Sequence, residues 1–328
     1  MKLIVDIYGA DAGPVPIIQG IAHALEEIAE LKVVFVGQEE LIRKTLAPFE
    51  LSKERISILH TEEFVGMEED PKAVFSGREN TSMVMALRYL KENEDCFGLL
   101  SPGNTGSLMV GSVVHLGTLP GIRMPALCGA LPCSGRDQLC LVDCGANLDC
   151  RAKDLARFAL MGSTFIHCLR GIETPRVGLM SVGREDCKGN ALTKEAFELL
   201  KELPIHFIGN VEGSDMISDV ADVIVTDGFV GNVLLKNTEA VGLSAVELVE
   251  EELQNASEAE KPALLRLKEK LLDRYALNAR GGATFLGPKK TVIKMHGCAN
   301  ADTAYACVLQ AYRLEKANFI EALSNSIK

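Results

Sequence analysis

The stretch Val223-Ile224-Val225-Thr226-Asp227-Gly228-Phe229-Val230-Gly231-Asn232 constrains this chain more than any other. Its β-branched apolar run has the length and composition of a buried parallel strand. Asp-Gly then turns the chain sharply, and Val233-Leu234-Leu235-Lys236 begins a long helical pattern. Asp227 and Asn232 are therefore expected at a strand's carboxyl end, where open α/β sheets place their ligands. The same order of strand, Gly/Asn/Asp turn and helix recurs at least four more times, so the strand tips are expected to form one shared site.

Read in order, the apolar runs predict strands over residues 3–7, 32–37, 56–59, 97–100, 126–131, 139–142, 176–182 and 205–208, with helical patterns between most of them. Strand and helix alternate without a fixed-period repeat or a low-complexity tract, which predicts one α/β domain over residues 1–328 built on a mainly parallel sheet. Residues 237–278 break the rhythm. They read as a helical hairpin, one helix over 239–253 and another over 262–275, projecting from the sheet. Leu264, Leu265, Leu267, Leu271 and Leu272 lie near helical spacing on the second helix, suited to a dimer or core contact or to a peripheral membrane foot. Residues 250–275 carry seven acidic and five basic side chains, so attraction to anionic lipid is expected to be weak.

Composition narrows the function. A net charge of -11 and 5% aromatic residues with no Trp argue against nucleic acid as a partner, since duplexes need cations and single strands need stacking faces. Several of the ten cysteines sit in apolar runs (Cys128, Cys140, Cys307), no CxxC pair occurs, and no Cys/His cluster has zinc spacing. A reduced, cytoplasmic protein without a metal or cofactor is the reading. Asp6 follows only a short apolar run, so the N-terminus predicts a first strand and not a signal peptide. No apolar run approaches the ~20 residues of a membrane span.

Six loops gather Gly, Asn and Asp: 103–106, 143–147, 188–190, 209–213, 227–232 and 296–300. Glycines allow close backbone approach, helix N-termini attract anions, and Asn offers donors without a negative charge. Lys188 and Lys236 supply positive charge. The patterns G-x-G-x-x-G after the first strand, G-x-x-x-x-G-K-[ST] and G-x-S-x-G are absent, which speaks against dinucleotide binding, a P-loop and a serine hydrolase. Cys144 and Cys187 fall at strand tips but read as small residues at crowded turns. With no covalent nucleophile in view, direct transfer onto a bound anion is the expected chemistry.

Taken together, Gly103-Asn104-Thr105-Gly106, Asp143-Cys144-Gly145-Ala146-Asn147, Lys188-Gly189-Asn190, Gly209-Asn210-Val211-Glu212-Gly213, Asp227-Gly228-Phe229-Val230-Gly231-Asn232 and Lys294-Met295-His296-Gly297 strongly resemble the phosphate acyltransferase family PlsX, in order and over essentially the whole chain. The resemblance implies a three-layer α/β/α fold like those of phosphotransacetylase and isocitrate/isopropylmalate dehydrogenases. It implies a homodimer that converts acyl-acyl carrier protein and inorganic phosphate to acyl phosphate for phospholipid synthesis. It also implies weak contact of the hairpin with the cytoplasmic membrane face and a downstream glycerol-3-phosphate acyltransferase. Three loops depart from the family pattern: Ala12 replaces a His, Glu79 a Lys, and Cys298 and Ala299 two Ser residues.

On this reading Lys188, Asn232, His296 and Asp227 are the catalytic candidates. Lys188, His296 or Asn232 would stabilise the oxyanion, and Asp227 or Asp143 would fix those donors. Phosphate and substrate would be held by Gly103, Asn104, Thr105, Gly106, Asp143, Asn147, Asn190, Asn210, Glu212, Lys236 and Asn300. The departures leave two alternatives, a non-catalytic paralogue that binds acyl carrier protein or an acyl ligand, and a short-chain or coenzyme A-dependent phosphate acyltransferase.

Overall fold

The computed structural model describes residues 1–75, 77–133, 136–275 and 281–327. Eleven strands form one sheet in the order β3-β2-β1-β4-β11-β10-β5-β6-β9-β7-β8. They are β1 Lys2–Asp6, β2 Lys32–Gly37, β3 Ile56–His60, β4 Cys96–Ser101, β5 Ala126–Cys133, β6 Arg136–Val142, β7 Arg176–Met180, β8 His206–Val211, β9 Val223–Val225, β10 Ala283–Leu286 and β11 Thr291–Lys294. The helices are α1 Pro14–Glu27, α2 Glu39–Leu46, α3 Ser82–Glu92, α4 Thr105–Gly111, α5 Ala152–Arg170, α6 Ala191–Lys201, α7 Gly228–Asn255, α8 Lys261–Tyr275, α9 Ala301–Lys316 and α10 Phe319–Ser326.

Runs such as Val33-Val34-Phe35-Val36 are apolar at every position because both sheet faces are covered. Alternate residues feed opposite faces: Leu3 and Val5 join one apolar cluster with α1, α5, α6, α9 and α10, while Ile4 joins another with α3 and α4. Three layers result, as expected. Among the described residues no helix is long and apolar enough to cross a membrane.

Within the sheet, three successive antiparallel pairings, β11 with β10, β10 with β5 and β5 with β6, separate two parallel blocks. The blocks β3-β2-β1-β4-β11 and β6-β9-β7-β8 consequently run in opposite directions. They are also staggered. Val142 at the end of β6 pairs with Cys128, Cys128 with Thr284, and Thr284 with Ile293, one residue short of Lys294 at the end of β11. Carboxyl ends of both blocks therefore arrive at the same level and face each other across the short central strands. The sequence predicts neither β10 nor β11, whose four-residue runs are too short for a period and are flanked by Gly and Pro.

The hairpin is real but differently joined. Its first helix does not begin near residue 239; it is the outer part of α7, one uninterrupted 28-residue helix starting at Gly228. α8 folds back along it. A Cβ on Gly242 would stand 2.5 Å from the Tyr275 Cβ, so the glycine is what lets the two helices approach there. Lys268 Nζ reaches Glu250 Oε1 at 2.6 Å. Leu243, Leu248 and Leu265 are exposed on the pair. Residues 276–278 of the expected hairpin lie outside the described residues.

Candidate active site

The base of α7 is seated on the loop that follows β6. A Cβ on Gly231 would fall 1.8 Å from the Asp143 carbonyl oxygen, so only glycine permits that seat. The Gly228 N–H donates to the Asn147 carbonyl at 2.8 Å. Asp227 is the helix N-cap, its Oδ1 accepting from the Val230 N–H at 2.9 Å. Below, the buried Asp143 carboxylate gathers the loop. Its Oδ1 accepts from the N–H groups of Leu127 (3.0 Å), Gly145 (3.1 Å) and Ala146 (3.0 Å), and its Oδ2 from Asn147 N and Nδ2, both at 2.7 Å. Burial pushes its pKa up, against the pull of these donors.

This seating aims one stripe of α7 into a cavity of about 460 Å³ between the two blocks. Asn232, Leu235, Lys236 and Glu239 line it, at helical spacings of three and four. Opposite stand Lys294, His296 and Gly297 from the end of β11, while Leu127, Gly129 and Ala130 of β5 contribute an apolar floor. Thr105 and Cys144 also line the cavity.

Charge spans the gap between α7 and the end of β11. Lys236 Nζ donates to Glu239 Oε2 at 2.7 Å, and Glu239 Oε1 lies 3.5 Å from His296 Nε2. Burial works to raise the Glu239 pKa, but His296 and Lys236 outweigh it and hold the carboxyl below its ordinary value. Lys294 is buried, its Nζ donating to the carbonyls of Pro102 (2.9 Å) and Met295. Burial pushes its pKa down to about 8. Asp6, at the end of β1, is fully enclosed and its pKa is pushed up to about 6, with Ser101 Oγ donating to its Oδ2 at 2.7 Å. Ser101 Oγ in turn accepts from the Gly103 N–H at 3.1 Å. Two ammonium groups and one carboxylate on the wall leave a single net positive charge beside an apolar floor.

Of the expected site residues, Thr105, Asn232, Lys236 and His296 line this cavity. Several others have structural duties. Asn104, Asn190 and Asn300 are N-caps of α4, α6 and α9, each Oδ1 accepting a backbone N–H at 2.9 Å, as Asp227 does for α7. Asp143 and Asn147 hold the β6 loop, and Asn147 Nδ2 also donates to the Pro125 carbonyl at 2.8 Å. Gly103 and Gly106 pack against Met83 and Pro71. The expectation that all six loops meet is corrected by distance. Strands lie about 4.8 Å apart, which puts the tips of β7 and β8 roughly 10 and 14 Å from β6 along the cleft. There Lys188 is exposed, Asn210 Nδ2 donates to the Glu185 carbonyl at 2.9 Å, and Glu212 lies 3.7 Å from Arg184 Nε. Glu79 borders a different cavity with Arg88 and His115, so it does not oppose an anion here.

Glu239 and Lys294 escape the sequence reading. Glu239 was legible as the residue seven after Asn232 had the helix been extended back to Gly228. Lys294 stood within the Lys294-Met295-His296-Gly297 motif with no role attached to it. Among the described residues no group of three or more His, Cys, Asp or Glu is placed to hold a metal ion.

The family named fatty acid synthesis protein matches residues 1–322. A phosphate acyltransferase of Bacillus cytotoxicus is 38% identical over 331 residues, covering 99% of this chain and 98% of that protein. One from Bacillus cereus is 38% identical over 328 residues with the same coverage. Among solved structures, a phosphotransacetylase from Streptococcus pyogenes superposes with a TM-score of 0.63 at 17% identity, covering 96% of this chain and 94% of that one. A branched-chain phosphotransacylase from Enterococcus faecalis gives a TM-score of 0.57 at 14% identity, with 95% and 98% coverage.

Proposed function

This chain belongs to the fatty acid synthesis protein family, and from that premise we propose that it converts an acyl thioester and inorganic phosphate to acyl phosphate. The observation that carries the reading is the cavity itself, an apolar floor of Leu127, Ala130 and Leu235 meeting the ammonium groups of Lys236 and Lys294 beside the His296 imidazole. An acyl chain's carbonyl end and an anion have complementary walls there. Acyl carrier protein is the proposed donor, on the resemblance of the six loops.

The thioester carbonyl lies toward the β11 side, and phosphate sits against Asn232, Lys236 and the α4 N-terminus at Thr105. As the tetrahedral oxyanion forms, donors already fixed in place stabilise it without reorganising. The Asn232 side-chain amide is placed for this. Lys188, on the exposed rim at the tip of β7, adds positive charge as substrate arrives. Orienting two substrates in one cleft contributes on the order of 7–11 kcal/mol.

The test is incubation with palmitoyl-acyl carrier protein and phosphate, trapping acyl phosphate as the hydroxamate. Phosphate-dependent product supports the reading; none, with carrier and chain length varied, defeats it. Lys236→Ala should lower turnover at least tenfold with an unchanged melting temperature, whereas Lys188→Ala should raise the KM for acyl carrier protein and leave kcat near that of the parent. A homodimer, a cytoplasmic setting, weak peripheral membrane contact through α7 and α8, and a downstream glycerol-3-phosphate acyltransferase complete the proposal.

A further inference from the structure

His296 and Glu239 line the cavity, and Cys298 stands just outside that lining, against the far side of the imidazole, where direct transfer requires no thiol. Cys298 Sγ lies 3.0 Å from His296 Nδ1. Across the ring, Nε2 lies 3.5 Å from Glu239 Oε1, and Lys236 holds that carboxylate from its other oxygen. A nucleophile beside a base that a third group orients is the arrangement covalent catalysis needs.

The tautomer follows from a second contact. The backbone N–H of Cys298 also points at His296 Nδ1, at 3.3 Å. An amide N–H only donates, so Nδ1 presents its lone pair and the ring proton resides on Nε2, facing Glu239. An imidazole in that form has its basic nitrogen against the thiol. The thiol that does line the cavity is differently placed: Cys144 is buried, donates to the Leu141 carbonyl at 3.0 Å, and has its pKa pushed well up by burial. Cys298 is exposed, where a carrier-borne thioester can reach it.

We propose that Cys298 is an acyl-accepting nucleophile, so that the acyl group passes through a thioester on this residue between donor and phosphate. The inference rests on the acyl-thioester reading of the cavity. In the first step His296 Nδ1 takes the thiol proton and Cys298 Sγ bonds to the donor's carbonyl carbon. The donor's C–S bond breaks, and its departing thiolate takes the proton from the imidazolium. One thioester replaces another, with no redox change. In the second step an oxygen of hydrogen phosphate attacks the new thioester and the Cys298 C–S bond breaks. The phosphate's proton passes by way of His296 to the sulfur, releasing acyl phosphate and the free thiol.

The test uses the full chain with palmitoyl-acyl carrier protein and no phosphate, followed by intact-mass analysis and peptide mapping. We expect one hydroxylamine-sensitive acyl group per chain on Cys298, discharged by added phosphate with matching acyl phosphate. Cys298→Ser and Cys298→Ala should carry no thioester there, and Cys298→Ala should lower acyl phosphate formation at least tenfold with an unchanged melting temperature. Equal labelling of the exposed Cys187, or Cys298→Ala at the wild-type rate, overturns the nucleophile and leaves the proposed function standing. Acyl-Cys298 that water discharges and phosphate does not supports the nucleophile and removes phosphate as acceptor.

Discussion

At the scale of single residues, the cavity depends on buried charge that folding places at a cost. Asp6 is fully enclosed, and its pKa is pushed up to about 6 from 3.8. Between those values the unfolded chain has already lost the proton that the folded chain keeps. Stability therefore falls as pH rises from 4 to 6 and is flat above, a loss of about 3 kcal/mol from this group. Asp6→Asn removes that slope. Urea denaturation of both proteins at pH 4.5, 6 and 7.5 should show the variant gaining about 2 kcal/mol on the parent across that window, and a constant difference would defeat the prediction. Lys294 responds too, because Asp6 is one of the charges supporting its ammonium. At this scale the sequence shows residue types but not their duties. Asn104, Asn190, Asn300 and Asp227 stand at strand tips because helices begin there, and a helix start selects Asn and Asp whether or not a ligand follows. His296 and Asn232 are legible because neither fills a cap in the structure. Cys298 is legible as a departure, but its bond to His296 is made by the turn that folds the loop back.

Among the elements, α7 decides most. Its start is fixed by the Asp227 cap and the Gly231 seat, and its outer half carries the hairpin. Gly242→Leu should force α8 away from it, at a cost of about 1–3 kcal/mol for overpacking. Amide exchange measures this: protection should drop along α8 while α9 is unchanged, and full protection of α8 would refute the close-approach role. The long strands and helices were readable from apolar period. β10 and β11 were not, since a four-residue strand between Gly and Pro carries no period and gains its pairing only from neighbours distant in sequence.

Over the whole molecule, alternation of strand and helix announced an α/β sheet, and the sheet is there. The reversal of its second block was invisible, because strand polarity is set by pairing and not by composition. That reversal, with its stagger, makes the cleft. Charge acts at this scale as well. A chain with net charge -11 is repelled by anionic lipid, so any hairpin contact must come from exposed side chains such as Leu243, Leu248 and Leu265. Vesicle sedimentation should then show binding to neutral vesicles at least equal to that on anionic ones at low salt. Stronger binding to anionic vesicles would argue for a basic site in place of an apolar one.

The unbroken span of α7 has a mechanical consequence. Its 28 residues reach about 42 Å, and Asn232 stands only about 6 Å from the seated end. As a lever pivoting at that seat, the helix scales any displacement of its far tip down roughly sevenfold at Asn232. A push of several ångströms on the hairpin moves the groove-facing amide by well under one. The long arm thus works as a shock absorber, letting one end of the molecule meet large, soft things while the other keeps its aim on small ones.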